Sequence, residues 1–141
     1  MRSLRFMLRF TGVVQLFFGV LFTFAPAAAS TVFRLHPTAP SWVDWLFVMM
    51  GARFLGYGFG MFVAAHDPRA NVAWINTMIV VQIADWLSTI GYLLAHDVSF
   101  SNVAPAAVLP VVFVGGLLLW HPRRLARLAR LDRAIVAAAP A

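Results

Sequence analysis

Residues 42–65 of this 141-residue chain read WVDWLFVMMGARFLGYGFGMFVAA, an apolar run whose charged members are Asp44 and Arg53. A bilayer core about 30 Å thick is crossed by roughly 20 helical residues, so this run is long enough to span a membrane. It lacks the strict alternation of apolar and polar residues that is typical of a β-strand. The run therefore predicts a transmembrane helix with an arginine near its middle.

Three further runs share this length and composition: residues 7–29, 72–95 and 104–120. Prolines mark their ends, because proline has no backbone N–H and interrupts a helix. Pro105 is expected in the first turn of the fourth helix, and Pro110 inside that helix is expected to kink it. The sequence predicts an all-α membrane protein, with a four-helix transmembrane bundle over residues 1–121 and a short tail over residues 122–141.

Composition supports this class. The chain is 62% hydrophobic and 11% charged, with a mean hydropathy of +0.82, beyond the usual range for soluble domains. It contains no cysteine, which excludes disulfides and thiolate metal sites. The net charge of +6 comes from arginines that flank apolar runs instead of lining a soluble face, so nucleic acid is not an expected partner.

The distribution of arginine predicts the topology. With the N-terminus inside, nine arginines lie on the inner side and only Arg34 lies outside, which is a strong positive-inside bias. We expect a multi-pass protein of the bacterial inner membrane with both termini in the cytoplasm. An alternative remains open for the first run, since its leading arginines and the Ala27-Ala28-Ala29 stretch resemble a cleaved signal peptide.

The tail has the pattern of an amphipathic helix. Leucine and isoleucine recur on one face, at Leu125, Leu128, Leu131 and Ile135. The arginines suited to contact an anionic membrane surface are Arg123, Arg124, Arg127, Arg130 and Arg133, each contributing about 1 kcal/mol near such a surface. The tail serves as a topology anchor, a lipid sensor or a docking helix for a partner.

Two ionisable residues fall deep within the second and third runs. Arg53 precedes the turn at residues 66–71 by thirteen residues, and Asp85 follows it by fourteen. At 1.5 Å per residue, both lie roughly 20 Å from that turn. Because an isolated charge at this depth is costly, we expect an ion pair between the two residues.

Further polar residues extend this pair into a buried polar seam. Its members are Arg53, Asp85, Gln82, Tyr57, Gln15 and Thr89. One interpretation is that the seam only fixes helix packing, since polar contacts between membrane helices contribute about 1 kcal/mol each. The other is functional: Arg53 receives an anionic or quinone-like head group, or Asp85 takes part in proton movement.

Glycines indicate close helix contacts. Gly56 and Gly60 form a GxxxG pattern with Gly51 nearby, and Gly12 and Gly19 lie seven residues apart in the first run. Small residues allow the backbones of membrane helices to approach each other. We therefore expect Gly51, Gly56 and Gly60 to line a helix–helix interface, within the chain or between subunits.

Histidines offer few sites for a cofactor. His66 and His121 both lie at the inner face and are candidate ligands for haem or a pigment. Two ligands without cysteine or glutamate make a poor zinc site, so no metal site is expected. The chain has no nucleophile–base arrangement, P-loop or dinucleotide fingerprint, and no catalytic residue is assigned.

An arginine-led first helix that ends in Phe24-Ala25-Pro26 resembles the small bacterial DoxX-like four-helix membrane proteins. The segment Gly51-Ala52-Arg53-Phe54-Leu55-Gly56-Tyr57-Gly58, followed by a short turn, resembles them as well. The resemblance covers residues 1–95 and implies a four-helix bundle in the bacterial inner membrane. Because some members are associated with membrane oxidoreductases acting on quinones, it also implies a place beside such an enzyme. Asp85-Trp86 and the basic tail depart from that pattern.

These observations favour a non-catalytic integral membrane protein that is an accessory or structural subunit of a larger membrane complex. One alternative is a quinone-, pigment- or lipid-binding partner of a membrane oxidoreductase, and another is a small oligomeric transporter. The expected partners are membrane lipids and other membrane subunits or further copies of the chain. No resident cofactor is predicted, with quinone, haem and pigment kept as alternatives.

Overall fold

The computed structural model describes residues 1–32 and 42–138, with only the backbone described for residue 129 and residues 132–138. Three predictions lie outside this part of the chain. They concern the outer position of Arg34 and the side chains of Arg133 and Ile135 on the tail.

Six helices make up the described chain, and no strand occurs in its two ranges. They are α1 (Arg2–Phe24), α2 (Pro26–Val32), α3 (Trp42–His66), α4 (Val72–Leu94), α5 (Phe100–Leu119) and α6 (Pro122–Ala138). Four are long and apolar enough to cross a bilayer: α1, α3, α4 and the segment Phe100–Leu128 that begins with α5. The predicted all-helical fold with four candidate spans is confirmed.

Two helix boundaries differ from the predicted runs. The first helix begins at Arg2 and ends at Phe24, because Ala25 leaves the helical conformation (φ −140°, ψ 54°) ahead of Pro26, as residues preceding proline tend to do. A separate helix, α2, begins at Pro26. At the other end of the chain, α5 begins at Phe100, so Pro105 lies inside the helix and its predicted place in the first turn is wrong.

The helices pack as two pairs, α1 with α3 and α4 with α5, whereas α3 and α4 touch only sparingly. Glycines explain the first pair. A Cβ added at Gly12 would lie 3.2 Å from the Gly58 carbonyl oxygen, and one added at Gly58 would lie 3.1 Å from the Gly12 oxygen. One added at Gly51 would lie 2.9 Å from the Gly19 oxygen. Two glycines seven residues apart on each helix therefore meet across one close backbone contact.

The remaining glycines of α3 face in different directions. A Cβ at Gly60 would collide with the Trp74 ring of α4, whereas one at Gly56 would meet nothing within 4 Å. Gly56 and Gly60 therefore do not share an interface within residues 1–32 and 42–138. The predicted packing role of Gly56 finds no counterpart among the described residues, because its face of α3 is uncovered.

A single buried cluster joins the two pairs at the end of the bundle that carries the α3–α4 turn, hereafter the turn end. It contains Leu4, Met7, Leu8, Met61, Ala64, Ala65, Ile75, Met78, Ile79, Phe113 and Leu117, and thus draws on α1, α3, α4 and α5. The buried cluster toward the opposite, far end contains Phe22, Ala29 and Phe47, which belong to α1, α2 and α3 alone. The two pairs consequently meet at the turn end and separate toward the far end.

A hydrogen bond and a helix cap fix the second pair. The Trp86 indole N–H donates to the Ala107 carbonyl of α5 at 3.0 Å. After α4, His96 adopts a left-handed conformation with φ 62°, and the Asp97 N–H donates to the Tyr92 carbonyl at 3.1 Å. This pattern is a Schellman cap, here with histidine in the place that glycine usually takes.

Candidate functional site

The separation of the two helix pairs leaves a cavity of about 600 Å³ between them. Its volume is in the range of roughly 300–1,000 Å³ that ligand pockets occupy. It extends from Phe113, in the core at the turn end, to Asn102 near the start of α5. Most of its surface is apolar, and Phe18, Phe22 and Phe54 form much of the α1–α3 side.

Polar side chains from all four spanning helices line this cavity. They are Gln15, Arg53, Tyr57, Gln82, Asp85, Ser88, Thr89 and Asn102. The structure thus places all six residues of the predicted seam around one space. Gln15 and Gln82 are buried, Tyr57 and Thr89 are half-buried, and Arg53 and Asp85 are exposed. The buried seam is therefore the wall of an open cavity.

The predicted ion pair does not form. Arg53 and Asp85 line the same cavity from α3 and α4, but among the described residues neither has an ion-pair partner. The physical reason is the helix arrangement: α3 packs against α1, so its polar face lies across the cavity from α4. Each charge faces the cavity without a partner from the described chain.

Two buried glutamines meet at Met78. Gln82, 4% exposed, directs its Nε2 at the Met78 sulfur at 3.4 Å, and Gln15, 5% exposed, does so from α1 at 4.0 Å. The Gln15 amide oxygen has no hydrogen-bond partner among the described residues. A buried acceptor left unpaired costs about 1–3 kcal/mol.

Hydrogen-bond acceptors dominate the α4–α5 wall. The Ser88 and Thr89 hydroxyls donate to the Ala84 and Asp85 carbonyls at 2.9 and 2.8 Å, so their oxygens keep only acceptor capacity toward the cavity. On α5, Pro110 has no N–H to donate to the carbonyl four residues earlier, that of Ala106. Together with the Asp85 carboxylate, these groups make a wall that accepts hydrogen bonds.

The candidate cofactor histidines lie at the turn end, away from the cavity lining. His121 Nδ1 accepts the Arg123 N–H at 3.3 Å, which caps the start of α6, and Nε2 lies 3.0 Å from Asn76 Oδ1. Because Nδ1 is an acceptor here, Nε2 carries the proton and donates to Asn76. Coordination of iron by His121 would break one of these bonds. His66 is exposed, and the described residues contain no group of three or more His, Cys, Asp or Glu that could hold a metal ion.

No family model, curated protein or solved structure matches this chain. The interpretation of the cavity therefore depends on its own geometry. Sequence reasoning missed Ser88, Asn102 and Met78 as members of the site. Ser88 and Thr89 are neighbours in the sequence, and the position of Ser88 three residues after Asp85 was the signal that would have identified it.

Proposed function

We propose that this protein binds the head group of a membrane amphiphile in the cavity between its two helix pairs and is not itself a catalyst. The observation that carries the proposal is the presence of Arg53 and Asp85 on opposite walls of that cavity without an ion-pair partner in the described chain. Apolar walls suit the tails of such a ligand, and the facing charges suit its polar part.

The cost of membrane charges supports the proposal. A charged residue at the centre of a membrane helix costs about 2.5–3.5 kcal/mol on insertion scales. Arg53 and Asp85 lie near that depth, and neither recovers the cost through the other. A polar ligand, or water that enters with it, recovers part of it by solvating both groups.

We place the protein in the bacterial inner membrane with the turn end toward the cytoplasm. The positive-inside rule supports this orientation, because the arginines at the start of α1, Arg69 and the arginines of the tail would all lie on the cytoplasmic side. In it, the cavity opens toward the periplasmic side. The exposed arginines of α6 then lie beside the anionic inner leaflet: Arg123, Arg124, Arg127 and Arg130.

Reporter fusions test this orientation. We expect a cytoplasm-specific reporter to be active at each terminus, and activity of a periplasmic reporter at either terminus would refute the orientation.

Filling the cavity tests the ligand-binding proposal. Ala84 lines the cavity on α4, whereas Ala73 on the same helix is exposed and does not line it. We expect Ala84→Phe to remove the amphiphile that co-purifies in mild detergent, as detected by native mass spectrometry and lipid extraction. Ala73→Phe is the matched control and should retain it. Equal retention by both variants, or no bound amphiphile in the wild-type protein, would contradict the proposal.

The accessory-subunit function is a second candidate, and the uncovered small residues of α3 favour it. Ala52 and Gly56 lie one turn apart and are both exposed, and a Cβ at Gly56 would meet no atom of the described part of the chain within 4 Å. Such a small-xxx-small face suits close approach by a helix of another subunit.

A mass measurement tests this second candidate. Gly56→Ile should reduce the mass of the detergent-extracted complex, whereas Gly91→Ile on the equally open face of α4 should not. A wild-type protein that is extracted as a monomer would argue against subunit association.

A further inference from the structure

We propose that the ligand of the cavity is an aminophospholipid whose phosphate binds Arg53 and whose primary ammonium binds Asp85. The inference rests on the proposed ligand-binding function and adds the chemical class of the head group. It follows from the distribution of charge and hydrogen-bonding capacity over the two walls.

The two charges stand at the same level on opposite walls. Arg53 belongs to the α1–α3 pair and Asp85 to the α4–α5 pair, and both lie about 20 Å from the turn end along their helices. Among the described lining residues, they are the charged groups. A head group that carries one negative and one positive charge therefore matches the cavity across its width.

The Arg53 side suits a phosphate. A guanidinium presents a planar set of donors that binds phosphate oxygens in a bidentate manner. Tyr57, one turn away on the same helix, also lines the cavity and adds a hydroxyl that can donate. The aromatic side chains Phe18, Phe22 and Phe54 on this side supply apolar surface for acyl chains.

The Asp85 side suits a primary ammonium. A primary ammonium has three N–H donors. The Asp85 carboxylate and the Ser88 and Thr89 oxygens, which retain acceptor capacity, match these three donors. A quaternary ammonium carries the same charge but has no N–H to donate. An anionic head group without an amine satisfies Arg53 and places negative charge near Asp85. A neutral quinone leaves both charges without a counter-ion.

The shape of the cavity gives a lipid a route to these groups. The lining includes Phe47 and Asn102, which lie five and two residues inside the far ends of α3 and α5. The space therefore extends from near the membrane surface to the level of Arg53 and Asp85. A head group enters from the far end while its acyl chains remain against the apolar walls.

The first experiment compares head groups on the unaltered protein. The delipidated full chain in detergent is titrated with phosphatidylethanolamine, phosphatidylcholine and phosphatidylglycerol of identical acyl chains, and bound lipid is counted by native mass spectrometry. We expect phosphatidylethanolamine to bind at least about tenfold more tightly than the other two, which corresponds to 1.4 kcal/mol. Equal binding of all three would overturn the aminophospholipid assignment and leave the proposed function standing. Binding of none would overturn both.

Two variants assign the ends of the head group. Asp85→Asn should remove the preference for phosphatidylethanolamine, with binding of phosphatidylglycerol unchanged or stronger. Arg53→Gln should weaken both lipids about tenfold or more, since the phosphate is common to them. Loss of both lipids in Asp85→Asn with a retained circular dichroism spectrum would overturn the assigned orientation. The wild-type comparison of head groups decides the proposal even if either variant fails to fold.

Discussion

The close contact between α1 and α3 predicts that Gly51→Ala destabilises the protein. A Cβ added at Gly51 would meet two backbone atoms of α1, the Thr23 nitrogen at 2.7 Å and the Gly19 oxygen at 2.9 Å. It would also collide with the Thr23 hydroxyl oxygen. Ordinary van der Waals contact of a Cβ begins at 3.4 Å. Because backbone atoms move only with their helix, α1 must retreat.

The magnitude follows from that displacement. The shortfall is about 0.5–0.7 Å, and a gap of 0.5–1 Å forfeits a quarter to a half of the dispersion energy of the atoms that face it. Overpacking of this kind costs about 1–3 kcal/mol. Alanine offsets part of this because it is better than glycine inside a helix by about 0.5–1 kcal/mol. The expected net loss in free energy of unfolding is about 0–2.5 kcal/mol.

Gly115→Ala is the matched control, because it makes the same change inside α5, where an added Cβ meets no atom of the described residues within 4 Å. The two proteins are compared by titration with sodium dodecyl sulfate in mixed micelles, with circular dichroism and tryptophan fluorescence as readouts. Since the gain in helix propensity cancels, the control should exceed Gly51→Ala in stability by about 1–3 kcal/mol. Equal stability, or a more stable Gly51→Ala, would refute the claim that these glycines set the α1–α3 distance.

Three further predictions concern local interactions, each measured in the same titration. His96→Gly should raise the free energy of unfolding by about 1 kcal/mol, because glycine adopts the left-handed cap without steric cost; a loss of stability would contradict this cause. His121→Ala should lower the free energy of unfolding by about 1–2 kcal/mol, because the α6 cap and the hydrogen bond to Asn76 are lost. His66→Ala is the control and should have little effect, because His66 is exposed. Trp86→Phe should lower it by about 0.5–1.5 kcal/mol, since the indole donor to α5 is lost while the aromatic ring remains; an unchanged value would show that this bond contributes nothing.

The helices themselves could be predicted because their signals are local. The second run was expected at residues 42–65 and forms α3 (Trp42–His66), and the third was expected at residues 72–95 and forms α4 (Val72–Leu94). Long apolar runs and prolines are properties of contiguous sequence. The start of α5 was predicted too late, at residue 104, because proline is common in the first turn of a helix. The helix begins at Phe100 and contains both Pro105 and Pro110.

The sequence predicted which residues belong to the candidate site, but not how their side chains are arranged around the cavity. Matched depth along two helices grouped Arg53 with Asp85, and depth depends only on counting residues. Whether two side chains at one depth meet depends on rotation and separation of their helices. The short turn between α3 and α4 suggested adjacent packing, yet the close contact of α3 is with α1.

The sequence by itself determined that four helices are long and apolar enough to cross a membrane, where most of them end, and which polar groups lie at one level. Hydropathy and helical rise add up residue by residue along the chain, so they can be calculated without knowing which helices pack together. Only the tertiary structure decided which helices pair, and therefore that Arg53 and Asp85 face a cavity instead of each other. That choice depends on backbones so close at Gly12, Gly19 and Gly58 that an added Cβ would lie only about 3 Å from backbone atoms of the other helix. This is a short-range effect that appears only when two distant segments are brought together.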